Sequence, residues 1–196
     1  MFLENTINHS KQSGWMEVIC GSMFSGKTEE LIRRLRRAEM AGQNVEIFKP
    51  KIDIRYSEED VVSHNQNKIR STAVESPNEI LLLGSTCDVV AIDEAQFFDE
   101  SIVDVANQLA NSGIRVVIAG LDMDFLGRPF GPMPNLMATA EYVTKVHAIC
   151  RKTGNLANYS MRTSQGKDLV ELGETENYDA VSRKVFVDEV LNKNTD

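Results

Sequence analysis

Cysteine is scarce in this chain of 196 residues: Cys20, Cys87 and Cys150 are far apart and odd in number. That argues against a disulfide framework and for a reducing compartment, the cytoplasm. Cys20 and Cys87 sit beside strand-like runs and read as small buried hydrophobes. Positive charge is also short, with 21 Lys and Arg against 29 Asp and Glu, a net charge of −8. A sequence-independent nucleic-acid binder needs a basic surface, so no nucleic acid is expected. A small anionic ligand remains open, because a few N–H groups and cations decide its binding. No apolar run approaches the roughly 18 residues that a membrane span requires. Residues 1–14 lack the long apolar core of a signal peptide and read as a tail, as do residues 191–196.

What the chain does have is ordinary globular composition, 42% hydrophobic and 26% charged, and one phosphate-loop motif. Gly21-Ser22-Met23-Phe24-Ser25-Gly26-Lys27-Thr28 fits G-x-x-x-x-G-K-[ST] at every fixed position. The apolar run Trp15-Met16-Glu17-Val18-Ile19-Cys20 before it reads as a strand, and residues 29–40 read as a helix. Strand, glycine-rich turn and helix are the context the motif needs. Glycines let successive N–H groups converge on one anion, and the helix start adds its positive end. Lys27 reaches the β- and γ-phosphates, and the Thr28 hydroxyl ligates Mg²⁺.

The helix carries Leu31, Ile32, Leu35 and Ala38 on one face. Arg33, Arg34, Arg36 and Arg37 cover the rest and read as a solvated face. Gly42 closes it. Val45-Glu46-Ile47-Phe48 is a second strand, followed by a long polar excursion, residues 51–71, at the mouth of the site. A short helix starts at Ser76-Pro77-Asn78-Glu79 and runs through Leu83. Asp88-Val89-Val90-Ala91-Ile92 and residues 114–119 are continuous apolar strands of the buried parallel type, with a helix between them. A further helix is expected over residues 136–141 and a strand over 143–149. After Cys150 the pieces at 157–161, 169–172 and 184–187 look β-like. Alternating strands and helices imply an open, mainly parallel sheet. Its ligands bind at the carboxyl ends of the strands. That groups the turns 21–28, 93–98 and 120–125.

Asp93 follows an apolar strand, where phosphate-loop enzymes keep the acid that holds Mg²⁺. Glu94 is either a base for an attacking hydroxyl or a further carboxylate serving Mg²⁺ or an attacking water. Phe97, Phe98, Phe125, Leu121 and Met23 lie on the converging turns, and a flat apolar pocket for a base is one reading of them.

The ordered set Phe24-Ser25-Gly26-Lys27-Thr28, Asp93-Glu94-Ala95-Gln96-Phe97-Phe98, Gly120-Leu121-Asp122-Met123-Asp124-Phe125 and Arg128-Pro129-Phe130-Gly131 resembles the thymidine kinases of the cytosolic, type II family, bacterial members included. Tyr159-Ser160-Met161-Arg162 and Gly173 to Tyr178 continue the resemblance, which runs from about residue 15 to about residue 187. It implies an α/β fold, a P-loop (RecA-like) parallel sheet flanked by helices, with a small β-rich lobe called the lasso. The division would be a nucleotide-binding domain at 15–146 and a lasso at 147–190. The implied reaction passes the γ-phosphate of ATP to the 5′-hydroxyl of thymidine or deoxyuridine, a step of nucleoside salvage for DNA synthesis. Glu94 would be the general base. Gly21, Ser22, Met23, Phe24, Ser25, Gly26, Lys27, Thr28, Asp93, Glu94, Ala95 and Gln96 would bind ATP. Thr28 and Asp93 would hold Mg²⁺, with Gln96 in its water shell. Met23, Phe97, Leu121, Phe125, Ser160, Glu171 and Tyr178 would line the nucleoside. Asp53, Arg55 and Tyr56 match a mobile loop on the phosphate side. The resemblance also implies a homotetramer and feedback inhibition by thymidine triphosphate.

One departure stands out. The family pins the lasso with zinc through two Cys-x-x-[Cys/His] pairs, and the corresponding positions here are Cys150, Thr153, Ser182 and Val185. Structural zinc wants four ligands, so no structural zinc is expected. Two rival readings are a nucleotide-binding module without catalysis and a P-loop ATPase acting on a protein partner. The intact Lys27, Thr28, Asp93 and Glu94 weigh against the first, and the aromatic turns against the second.

Overall fold

The computed structural model describes residues 14–51, 60–62, 68–163 and 177–191. The apolar run Trp15–Cys20 is β1, followed by α1, Lys27–Met40, and β2, Val45–Pro50. Asp60–Val62 (β3) and Lys68–Arg70 (β4) form a small antiparallel ribbon, so part of the expected polar excursion is regular structure. β5 is Thr72–Val74 and α2 is Pro77–Gly84. The Glu79 carboxylate accepts the Ser76 N–H at 3.1 Å, the local bond that starts α2. β6 (Val89–Ile92), α3 (Ser101–Asn111) and β7 (Arg115–Gly120) complete the alternation.

The six-stranded sheet has the order β5-β2-β6-β7-β1 and then β8, Tyr142–Lys145. Every neighbouring pair in it is parallel. β6, β7 and β1 lie together at its centre and are buried on both faces, which explains why they are almost wholly apolar, Glu17 and Arg115 excepted. Side chains alternate between two cores. Met16, Val18, Cys20, Val90, Ile92, Val116 and Ile118 pack on one side with Ile102 and Leu109 of α3. Ile19, Val89, Ala91, Val117 and Ala119 meet Leu31, Ile32 and Leu35 of α1 on the other.

The expected solvated arginine face is corrected at one position. Arg34 is buried, donating to Glu17 Oε2 at 2.7 Å and Glu30 Oε1 at 2.9 Å. Arg115 donates to the second Glu17 oxygen, also at 2.7 Å. Burial by itself would raise the Glu17 carboxyl; the bonds from Arg115, Trp15 and Arg34 outweigh it and hold the group below its usual range. A buried carboxylate on an apolar strand needed a cation, and α1 supplies it.

The expected helix near 136–141 is α4, Met133–Thr139, preceded by Pro132 and carrying Pro134 in its first turn. Proline tolerates a first turn but not an interior position, which moves the start upstream. The strand expected over 143–149 is two strands, β8 and β9 (Ala148–Ile149), in different sheets. β9 pairs with β10, Leu156–Ala157. β11, Tyr159–Arg162, pairs with β12, Tyr178–Val181. Residues 184–187, expected as strand, are helical: α5 is Arg183–Phe186, followed by a π-helical turn, Val187–Leu191. The Phe186 N–H donates to the Ser182 carbonyl at 3.0 Å. Consecutive Val185 and Phe186 are both buried while Arg183 and Lys184 face outward, a pattern that a half-buried strand does not give. The expected piece at 169–172 lies outside the described residues.

A third core belongs to this last part of the chain: Ala148, Cys150, Ala157, Tyr159, Met161, Val181, Val185 and Phe186. Phe24 of the phosphate loop and Met123 of the loop after β7 pack against it. No helix among the described residues is long and apolar enough to cross a membrane.

Candidate active site

Strand order decides which loops meet. β7 lies between β1 and β6, so the turns leaving these three strands emerge side by side at their carboxyl ends. The phosphate loop follows β1. Gly26 caps α1 in a left-handed conformation. Lys27 Nζ curls back and donates to the Ser22 carbonyl at 2.8 Å, and Ser25 Oγ donates to the same oxygen at 2.7 Å. Ser22 Oγ donates to the Ala157 carbonyl at 3.1 Å, and the Met23 N–H donates to Ser160 Oγ at 2.9 Å. The loop is thereby bonded to the β10–β11 segment as well as to its own helix.

Asp93 follows β6 and is buried. Its Oδ2 accepts from Thr28 Oγ1 at 3.3 Å and its Oδ1 from the Glu94 N–H at 2.9 Å. Thr28 and Asp93 therefore present adjacent hard oxygen donors, the chemistry that Mg²⁺ takes with one or two carboxylates and substrate phosphates. Glu94 is half-buried, and its backbone is left-handed, φ 52°. Phe24 shares that conformation at φ 61°. Such positions cost of order 1–3 kcal/mol and concentrate at functional sites. Gln96 Nε2 donates to Glu94 Oε2 at 2.5 Å, and Gln96 Oε1 accepts the Leu121 N–H at 2.9 Å. Ala95 is fully buried behind this turn.

The loop after β7 folds back on itself. Asp124 Oδ1 accepts the Leu126 and Arg128 N–H groups, each at 2.9 Å, and the Phe130 N–H donates to the Asp122 carbonyl at 3.1 Å. Asp122 forms an ion pair with Lys145 of β8 at 2.6 Å. Since Cys20 pairs with both Gly120 and Lys145, this ion pair straddles the end of β1, where the phosphate loop begins. Burial, then the Asp122 carboxylate, push the Cys20 thiol up to about 11; it is a neutral thiol and not a nucleophile.

The aromatic residues separate into two groups. Phe97 packs edge-on to Phe130, ring centroids 5.8 Å apart, and stays at the mouth. Phe98 points into the main core and is withdrawn from the expected apolar pocket. Phe125 lies under the Arg162 guanidinium at 3.9 Å, and Arg162 Nη2 donates to the Tyr178 hydroxyl at 2.9 Å. Arg162 thus joins the β7 loop to both strands of the β11–β12 hairpin, a role that sequence reasoning did not assign. Its signal was spacing: Arg162 is two residues from Ser160 and so shares its face of the strand. Tyr178 and Ser160 are buried; Met23 and Leu121 are partly buried. Glu171, Asp53, Arg55 and Tyr56 lie outside the described residues.

Cys150, Thr153, Ser182 and Val185 converge. Thr153 Oγ1 donates to Ser182 Oγ at 3.3 Å, and Val185 is buried in the same core as Cys150. Burial pushes the Cys150 thiol up, but hydrogen bonds from the hydroxyls and N–H groups of Thr153 and Ser182 outweigh it and hold the thiol at about 6. One thiol, two hydroxyls and an isopropyl group are not a zinc donor set.

Fold and site together define a P-loop nucleotide-binding α/β protein. The family model described as Thymidine kinase matches residues 14–186. The thymidine kinase of Bacteroides thetaiotaomicron is 60% identical over 187 residues, 95% of this chain and 94% of that protein. That of Porphyromonas gingivalis strain W83 is 62% identical over 184 residues, 94% of this chain and 90% of its own. That of a Rhodothermus species is 59% identical over 180 residues, 92% and 84%. Among solved structures, a DNA replication initiation factor covers 67% of this chain and 40% of its own at 15% identity, with a TM-score of 0.39, too slight a likeness to carry an argument. The chain belongs to the thymidine kinase family.

Proposed function

We propose that this chain transfers the γ-phosphate of ATP to the 5′-hydroxyl of thymidine or deoxyuridine, giving the nucleoside 5′-monophosphate and ADP. The observation that carries the reading, beside family membership, is Glu94 next to an Asp93 that is bonded to Thr28 of the phosphate loop. The N–H groups of residues 21–28 and the Lys27 ammonium would cradle the β- and γ-phosphates. Bound at Thr28 and Asp93, Mg²⁺ would offset the charge on those phosphates. Glu94 takes the proton of the 5′-hydroxyl as its oxygen bonds to the γ-phosphorus; the bond to the β-phosphate oxygen breaks and ADP carries the electron pair away. Met23, Phe97, Leu121 and Phe125 would enclose the pyrimidine, and Ser160 and Tyr178 would line the nucleoside side, to which Glu171, outside the described residues, is also assigned. Asp53, Arg55 and Tyr56, outside the described residues, are assigned to the phosphate side.

The same reading divides the chain into a nucleotide-binding domain, 15–146, and a lobe over the nucleoside, 147–190. It takes the protein to be cytoplasmic and tetrameric, inhibited by thymidine triphosphate, and without zinc. ADP release measured with and without thymidine tests the activity. Release that depends on thymidine is the expected result. Release without it would make the chain an ATPase, and tight ATP binding with no release a binding module.

A further inference from the structure

Gln96 is one of the most enclosed polar side chains of the site, 2% exposed. Its carboxamide orientation is set by chemistry: the Leu121 N–H can only donate, so Oε1 must face it and Nε2 must face Glu94. Both bonds are made, at 2.9 Å and 2.5 Å. Two glycines allow the fit. A Cβ on Gly120 would stand 2.9 Å from Gln96 Oε1, and one on Gly131 would stand 2.5 Å from the Gln96 carbonyl oxygen. The Arg128-Pro129-Phe130-Gly131 turn therefore presses on the Gln96 backbone, while Phe130 packs on the neighbouring Phe97.

We infer that Gln96 is a positioning residue: it holds the Glu94 carboxylate in its reactive orientation and ties that orientation to the Leu121 loop at the nucleoside pocket. This rests on the reading of Glu94 as the base. Glu94 sits on a left-handed backbone, and the bond from Gln96 Nε2 fixes its Oε2. The Leu121 N–H fixes the far end of the carboxamide, so a nucleoside that moves the Leu121 loop moves the base with it. Other charged groups at this end of the sheet, among the described residues, include Asp93, bonded to the Glu94 N–H, Lys27 on the phosphate loop, Asp122 with Lys145, and Asp124 in the loop after β7.

The test is a kinetic cycle on the full chain with Gln96→Leu, Glu94→Gln and the double variant. Gln96→Leu is expected to lower kcat roughly tenfold or more, part of the 10²–10⁴ that a positioned base supplies. Its KM for ATP should change less than its kcat does. In the Glu94→Gln background the same change should cost nothing further, because there is no base left to position. Equal losses in both backgrounds would overturn the inference. A Glu94→Gln variant at the parent rate would instead overturn the base assignment beneath it. Should Gln96→Leu fail to fold, Gln96→Glu retains the acceptor for Leu121. It offers Glu94 no N–H donor, so kcat should again fall roughly tenfold or more. A parental kcat would contradict the inference.

Discussion

The Met23 N–H donates to the Ser160 hydroxyl at 2.9 Å across 137 residues of sequence. With Ser22 Oγ on the Ala157 carbonyl, this bond fastens the phosphate loop to the β10–β11 segment. The loop's shape is thus set partly by the far end of the chain. Ser160→Ala should leave the Met23 N–H without its partner and cost about 1 kcal/mol or somewhat more. It should also raise the KM for ATP several-fold more than it lowers kcat. Steady-state kinetics with ATP varied checks this; an unchanged KM would mean that the loop keeps its shape without the bond.

Glu17 is 1% exposed and accepts from Arg34, Arg115 and the Trp15 indole. Glu17→Ala takes from the buried Arg34 one of its carboxylate partners and from the partly buried Arg115 its carboxylate at 2.7 Å; breaking a buried pair costs up to about 3–5 kcal/mol. Urea unfolding should show that loss as a lower midpoint. Because the folded Glu17 carboxyl lies below its ordinary 4.5, its contribution is present above that pH and declines as pH falls beneath it.

Cys150 gives a pH signature of opposite range. Its thiol sits at about 6 in the folded chain against an ordinary 9.0. The unfolded chain therefore holds more protons between these values. The stabilisation is complete above pH 9, falls as pH drops towards 6, and is lost below it. The melting temperature of the parent minus that of Cys150→Ala should widen from pH 6 to pH 9. A constant difference would mean that the Thr153 and Ser182 donors do not favour the thiolate. Metal analysis of the purified protein should find far less than one zinc per chain.

Arg162 bridges Phe125 and Tyr178. Arg162→Met keeps much of the apolar stem but removes the cation over the ring and the bond to the tyrosine hydroxyl. The expected result is a raised KM for thymidine with a nearly parental KM for ATP. Equal changes in both would assign Arg162 to general stability.

Much of the fold could be read from local pattern. Residues 89–92 and 116–120 are apolar without interruption because both faces of the sheet are covered, and such runs have few other readings. The phosphate loop was legible because its chemistry needs fixed residues at fixed spacing. Pairwise facts were not legible. Nothing in the arginine-rich run of α1 shows that Arg34, and not Arg33, meets Glu17; that depends on the helix's rotation against the sheet. Phe98 and Phe97 are adjacent, yet only the three-residue turn Ala95–Phe97 decides which one enters the core. Residues 184–187 have strand-like composition, and tertiary burial of Val185 with Phe186 overrides it. Gln96 lay inside a recognised motif, but its two bonds become visible only once β6 and β7 lie side by side.

The central claim is that Glu94 accepts the proton of the thymidine 5′-hydroxyl. Single-turnover phosphoryl transfer by Glu94→Gln, with ATP binding measured in the same preparation, tests it most directly. The account predicts intact ATP affinity and a rate lower by roughly 10²–10⁴. Transfer to thymidine near the parent rate would contradict it.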